Sequence, residues 1–137
     1  MTYRSAVFTL IAASLLLTPS FGSATGSDGE AYIDENTVVD WLENDTVPRN
    51  VVLLDVRTPT EFAAGHLPDA VNINLLSMEF PDRIDQLDRD KRYVLYCRTQ
   101  NRSGFAYRLM KKMGFENIRI LQTGYATWFA KGWPTTQ

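Results

Sequence analysis

The apolar positions of the chain fall into short, separated runs, and their spacing alternates between two periods. "NVVLLDVR" (50–57) and "RYVLYC" (92–97) are almost continuously apolar and rich in β-branched or aromatic residues, as strands buried on both faces should be. "AYI" (31–33), "AVNIN" (70–74) and "NIRIL" (117–121) are shorter runs of the same kind. Between them the period lengthens to that of helices. Asp34 is placed to cap a helix in which Val38, Trp41 and Leu42 share a face. Thr58-Pro59-Thr60-Glu61 is a capping-box pattern with Pro at the first helical position, opening a short helix over "TEFAAG" (60–65). "SMEFPDRIDQLDRD" (77–90) predicts a helix interrupted near Pro81. A helix is expected from Ser103 to Met113, ended by Gly114, and a short aromatic one in "GYATWFAKGWP" (124–134), stopping at Gly132. Strands alternating with helices through short connections imply an α/β fold: a central, largely parallel sheet of about five strands with helices against it. No internal repeat is present.

The first thirty residues follow another logic. Arg4 precedes a twelve-residue apolar run from Ala6 to Leu17, a Pro19-Ser20 break and then small residues, with Gly22-Ser23-Ala24 as a cleavage site. This is the layout of a secretory signal, and the run is short against the roughly 20 residues a membrane-spanning helix needs. No cysteine follows it to take a lipid anchor. The expected organisation is a signal peptide over 1–24, a flexible leader over 25–30 and one domain over 31–135, with a periplasmic or secreted location and no membrane attachment after cleavage.

Composition adds that the chain can build a core: of 137 residues, 45% are hydrophobic and 22% charged. The net charge of −2 removes any general attraction to nucleic acid or an anionic membrane, so anion binding has to be local.

Cys97 is the only cysteine. A lone thiol closes no intrachain disulfide, and with His66 as the only histidine it does not make an ordinary zinc site. The bland reading is a small buried hydrophobe. Its position argues otherwise, because ligands of parallel sheets bind at the carboxyl ends of strands, and Cys97 stands at one. The segment Cys97-Arg98-Thr99-Gln100-Asn101-Arg102 then runs into a helix N-terminus, where free N–H groups and the helix dipole favour negative charge. A thiol so placed should have a lowered pKa, and Arg98 and Arg102 add charge that does not titrate away. The construction is a cradle for an anionic sulfur and an anionic substrate, with Cys97 as nucleophile.

"LLDVRTPTEFAAGHLPDAVNIN", then "VLYCRTQNRSG", then "LQTGYATWFAKGWP" resemble, in that order, the rhodanese-like domain of the single-domain sulfurtransferases, a likeness running from about Tyr32 to Pro134. The resemblance implies a three-layer domain and a sulfurtransferase in which Cys97 takes a sulfane sulfur from a small anionic donor such as thiosulfate, holds it as a persulfide and passes it to cyanide or a thiol. It implies no metal or organic cofactor. A protein sulfur acceptor is a further partner to consider, and a monomer is expected. Arg98, Thr99, Gln100, Asn101 and Arg102 are the substrate-binding candidates, with Asp55, Arg57 and Ser103 in support.

The chain departs from the family pattern at the fourth loop position, commonly Gly and here Gln100, whose backbone must reach its turn without glycine's freedom. Thr99 stands where two-domain thiosulfate enzymes carry a basic residue, and Thr123-Gly124 where a Gly-Gly pair is usual. These departures leave the natural donor open. The remaining conspicuous residues have structural readings: Arg57 pairs with a neighbouring carboxylate, Glu61 completes the capping box, His66 orders a turn rather than serving a Cys/His protease, and Trp41, Trp128 and Trp133 form core or pocket wall. Two rival functions share features with this chain. A phosphatase or arsenate reductase of the related cell-cycle type spaces Cys and Arg by five residues, whereas four separate Cys97 from Arg102 here. A non-catalytic binding module would lack the cysteine. An exported persulfide carrier stays open beside the enzyme.

Overall fold

Five strands and five helices alternate along the computed structural model, which describes residues 31–137. The expected signal peptide and leader, 1–30, lie outside the described residues. The elements are β1 (Tyr32–Ile33), α1 (Glu35–Glu43), β2 (Val51–Asp55), α2 (Pro59–Ala63), β3 (Val71–Asn72), α3 (Phe80–Asp85), β4 (Arg92–Tyr96), α4 (Asn101–Lys112), β5 (Ile118–Leu121) and α5 (Tyr125–Ala130). The strands form one sheet in the order β1-β5-β4-β2-β3, with every pairing parallel. Parallel neighbours need crossover connections, and the helices supply them. β2 and β4 pair along their whole length, from Val51 opposite Arg92 to Asp55 opposite Tyr96.

The period of two along each strand explains the continuous apolar runs. Leu53, Val94, Tyr96 and Leu121 point to one face, where Val38 of α1 and Trp128 of α5 cover them. Leu54, Tyr93 and Leu95 point to the other, under Phe80 and Ile84 of α3 and Ala106 and Met110 of α4. Both faces are therefore dry, and three layers result. Trp128 is fully buried, with Trp133 edge-on at 5.0 Å and Trp41 packed at the margin of the same cluster.

The structure corrects three boundaries. Pro81 does not interrupt a helix; it stands in the first turn of α3, where its missing N–H removes no intrahelical bond. The helix is also shorter than expected, since residues 77–79 form a turn closed by Phe80 N–H donating to Ser77 O, and the chain leaves the helix after Asp85. α4 begins at Asn101, two residues before Ser103, so the helix reaches closer to Cys97. Asp34 takes the N-cap position of α1 without a side-chain hydrogen bond, whereas Thr58 and Glu61 form the full capping box.

Candidate active site

The parallel sheet gathers the carboxyl ends of β2, β4 and β5 side by side, and Cys97 follows the last residue of β4, the middle strand. Cys97 is buried, with 1% of its surface exposed. The Gln100 N–H donates to its Sγ at 3.1 Å, and the Ser103 hydroxyl lies 3.5 Å away. In the neutral state the thiol donates to Ser103 Oγ, which itself donates to Gln100 O at 2.9 Å. Loss of the thiol proton turns sulfur into an acceptor, and the hydroxyl can rotate to it while Gln100 O keeps its bond from Gly104 N–H at 2.9 Å. Burial pushes the Cys97 thiol up, but hydrogen bonds from the Ser103 side chain and from the N–H groups of Ser103, Gln100 and Thr99 together bring it below the ordinary thiol value.

The loop's carbonyls are held on its other side. Tyr125 N–H donates to Cys97 O at 2.8 Å and Ala126 N–H to Arg98 O at 3.1 Å, so the first turn of α5 spends its free N–H groups on this loop. With carbonyls drawn toward α5, N–H groups of the loop face sulfur. The close approach depends on Gly124, where a Cβ would stand 2.1 Å from Arg98 O. Gln100 itself has φ of 113°, in the region that favours glycine, and its side-chain amide donates to Gln122 O in the β5–α5 connection.

The two arginines of the loop motif are in different states. Arg102 forks onto Glu61, with Nη1 to Oε2 and Nη2 to Oε1 both at 2.7 Å. The Arg102 hydrogen bond, with those of the capping box, holds the Glu61 carboxyl at about 2 despite partial burial. Arg98 is exposed and belongs to none of the ion pairs among the described residues. Thr99 and Asn101 are exposed as well.

A model of the rhodanese-like domain matches residues 38–131, from the first helix through the last and including the whole Cys97 loop. The chain belongs to the rhodanese-like family. A "Sulfurtransferase" of Allochromatium vinosum is 33% identical over 85 residues, 62% of this chain and 78% of that protein. An uncharacterized Synechocystis protein is 38% identical over 87 residues, 64% of this chain; the chain spans about half of that relative, 48%. Among solved structures, a rhodanese-related protein of Thermoplasma volcanium superposes with a TM-score of 0.63 at 30% identity, covering 77% of this chain and 96% of that one.

Within this rhodanese-like domain Ser103 stands against Cys97, whereas the other two supporting residues, Asp55 and Arg57, pair with each other at the end of β2. Arg57 Nη2 meets Asp55 Oδ2 at 2.6 Å, with both side chains buried. The guanidinium also donates to Gly65 O at 2.7 Å and stacks 3.9 Å above the Tyr125 ring. It thereby ties the end of β2 to the turn at Gly65 and to α5, the carboxylate pairing expected of it. His66 joins the same turn through its backbone, paired with Thr136, and its Nδ1 lies 2.9 Å from Phe62 O with the rings stacked at 3.6 Å. Among the described residues no group of three or more His, Cys, Asp or Glu could hold a metal ion. The sequence reading missed three things: Glu61 as the partner of Arg102, α5 as the clamp on the loop carbonyls, and the Gln100 side chain as a tie. Only the second left a trace in the sequence, in Gly124. Thr123, where the family pair has its first Gly, buries a hydroxyl that makes no hydrogen bond within the protein.

Proposed function

We propose that this sulfurtransferase-family domain carries sulfane sulfur on Cys97, from thiosulfate or a similar anionic donor to cyanide or a thiol. The observation that carries the reading is a single buried sulfur facing the Gln100 N–H and the Ser103 hydroxyl, with a thiol pKa below the ordinary value. A thiolate lone pair forms a bond to the outer sulfur of thiosulfate; the S–S bond of the donor breaks and its electron pair leaves with sulfite. The Cys97 persulfide keeps the negative charge on its terminal sulfur. Cyanide then attacks that sulfur, leaves as thiocyanate and restores the thiolate, which completes a ping-pong cycle. The Gln100 N–H already aimed at Sγ, joined by the Ser103 hydroxyl once it has turned to the sulfur, serves the anion much as an oxyanion hole serves oxygen.

Exposed Arg98 adds a positive charge beside the loop for a dianionic donor. Arg102, neutralised by Glu61, acts chiefly by fixing the first turn of α4. The layout of residues 1–24 supports action outside the cytoplasm. Uptake of one sulfur atom from thiosulfate by the purified protein, and its removal by cyanide, is the experiment that tests the reading.

A further inference from the structure

We propose that Gln100 is a positioning residue: its side chain, anchored on Gln122 O, holds its own backbone in the left-handed region so that its N–H faces Cys97 Sγ. The backbone and the side chain of Gln100 make separate contacts. The peptide of Gln100 approaches the sulfur at 3.1 Å, and that approach occurs at a φ of 113°. Side chains other than glycine adopt such a φ at a steric cost, through the clash of Cβ with the backbone. A strained residue persists where its surroundings over-determine it, and Gln100 is held at three points. Its carbonyl accepts from Ser103 Oγ and Gly104 N–H, both at 2.9 Å, fixing the side toward α4. Its side-chain amide donates to Gln122 O. Gln122 in turn is fixed by its N–H on Ile33 O at 3.0 Å, beside the sheet.

Glycine at this position would reach the same backbone without strain and without a tie. Glutamine reaches it under strain and is pinned there, so the sulfur's donor depends on a side chain that points away from the sulfur. Neutral replacements of Gln100 leave the charges around Cys97 in place: Arg98 and Arg102 of its own loop and helix, Glu61 of α2 on Arg102, and the Asp55–Arg57 pair at the end of β2. A change in thiol acidity would then report the N–H. The inference concerns the thiolate and holds whether or not sulfur is the cargo of the site.

The test is the rate of iodoacetamide alkylation of Cys97 between pH 5 and 10 in the full-length protein and in Gln100→Gly, Gln100→Ala and Gln100→Met, each checked for folding by circular dichroism. Gln100→Ala should raise the apparent thiol pKa and slow alkylation at pH 6 by roughly three- to tenfold, up to the tenfold that one pKa unit represents. Gln100→Met, which fills the same space and lacks the amide, should behave as Ala does and serves where Ala fails to fold. Gln100→Gly should stay near the wild type, because its backbone needs no anchor. Wild-type acidity in both Ala and Met would overturn the proposal. So would a Gly variant shifted as far as Met, because backbone strain would then play no part. A wild-type protein that takes up no sulfur while the Gln100 variants shift as expected would count against the sulfurtransferase reading alone, and a wild type that transfers sulfur beside unshifted Ala and Met variants would count against this proposal alone.

Discussion

Arg102 and Glu61, 41 residues apart in the chain, meet fork to fork through two 2.7 Å hydrogen bonds and join the first turn of α4 to the first turn of α2. Glu61 also receives the Thr58 N–H at 3.0 Å, so one carboxylate serves both the capping box and the arginine of the cysteine loop. The geometry is the strong, bidentate kind, partly screened because each side chain keeps about a quarter of its surface in water (23% and 28%).

The pair makes stability depend on acidity in a definite direction. The Glu61 carboxyl is lowered from its ordinary value near 4.5 to about 2, chiefly by the Arg102 hydrogen bond. Its contribution is therefore fully present above pH 4.5 and disappears as pH falls toward 2. After discounting for exposure, roughly 1–2 kcal/mol should be lost across that window. Urea unfolding at several pH values should show the decline in the wild type and a flatter profile in Glu61→Gln, which starts lower at pH 7. Parallel profiles for the two proteins would contradict the assignment.

Gly124→Ala should disturb the cysteine loop from the far side. Its Cβ would stand 2.1 Å from Arg98 O and 2.6 Å from the Thr99 Cα, backbone atoms that cannot turn aside. The separation of α5 from the loop should cost about 1–3 kcal/mol of stability, as overpacking does. It should also raise the Cys97 thiol pKa, because the carbonyls of Cys97 and Arg98 lose their partners and the N–H groups lose their aim. Thermal unfolding together with a thiol titration checks both effects; a variant unchanged in both would show that α5 does not hold the loop.

Arg98→Ala should weaken donor capture while sparing the chemical step. The side chain is exposed and belongs to none of the ion pairs among the described residues. Its loss should raise the KM for thiosulfate by roughly three- to tenfold with little change in kcat, the mark of uniform binding. The difference from wild type should shrink with added salt. A fall in kcat at unchanged KM would place Arg98 in the transition state instead.

Export, proposed from the layout of residues 1–24, is checked on the protein made in its own cell. The mature chain is expected outside the cytoplasm with its N-terminus near Thr25. A cytoplasmic form that retains Met1 would be the contrary result.

The parts of the fold that local pattern controls were legible in the sequence. The dry runs around Leu54 and Leu95 announced strands covered on both faces, Thr58-Pro59-Thr60-Glu61 announced its capping box, and Cys97 announced a loop at a strand end leading into a helix. Pro81 was misplaced because a proline fits a helix start as well as it breaks a helix interior. The pairing of Arg102 with Glu61 and the seating of α5 on the Cys97 and Arg98 carbonyls depend on how distant segments are brought together, which no periodicity encodes. Gln100 is the sharpest case. Its residue type argues against a left-handed backbone, and tertiary contacts impose one.

Intact-protein mass spectrometry reads the proposed persulfide on Cys97 without an intermediary. After incubation with thiosulfate the protein should gain the mass of one sulfur atom, cyanide should return it to its starting mass with release of thiocyanate, and Cys97→Ser should show neither step. A protein that keeps its starting mass with thiosulfate and with other sulfane donors, or a Cys97→Ser variant that gains sulfur as the wild type does, would contradict the account.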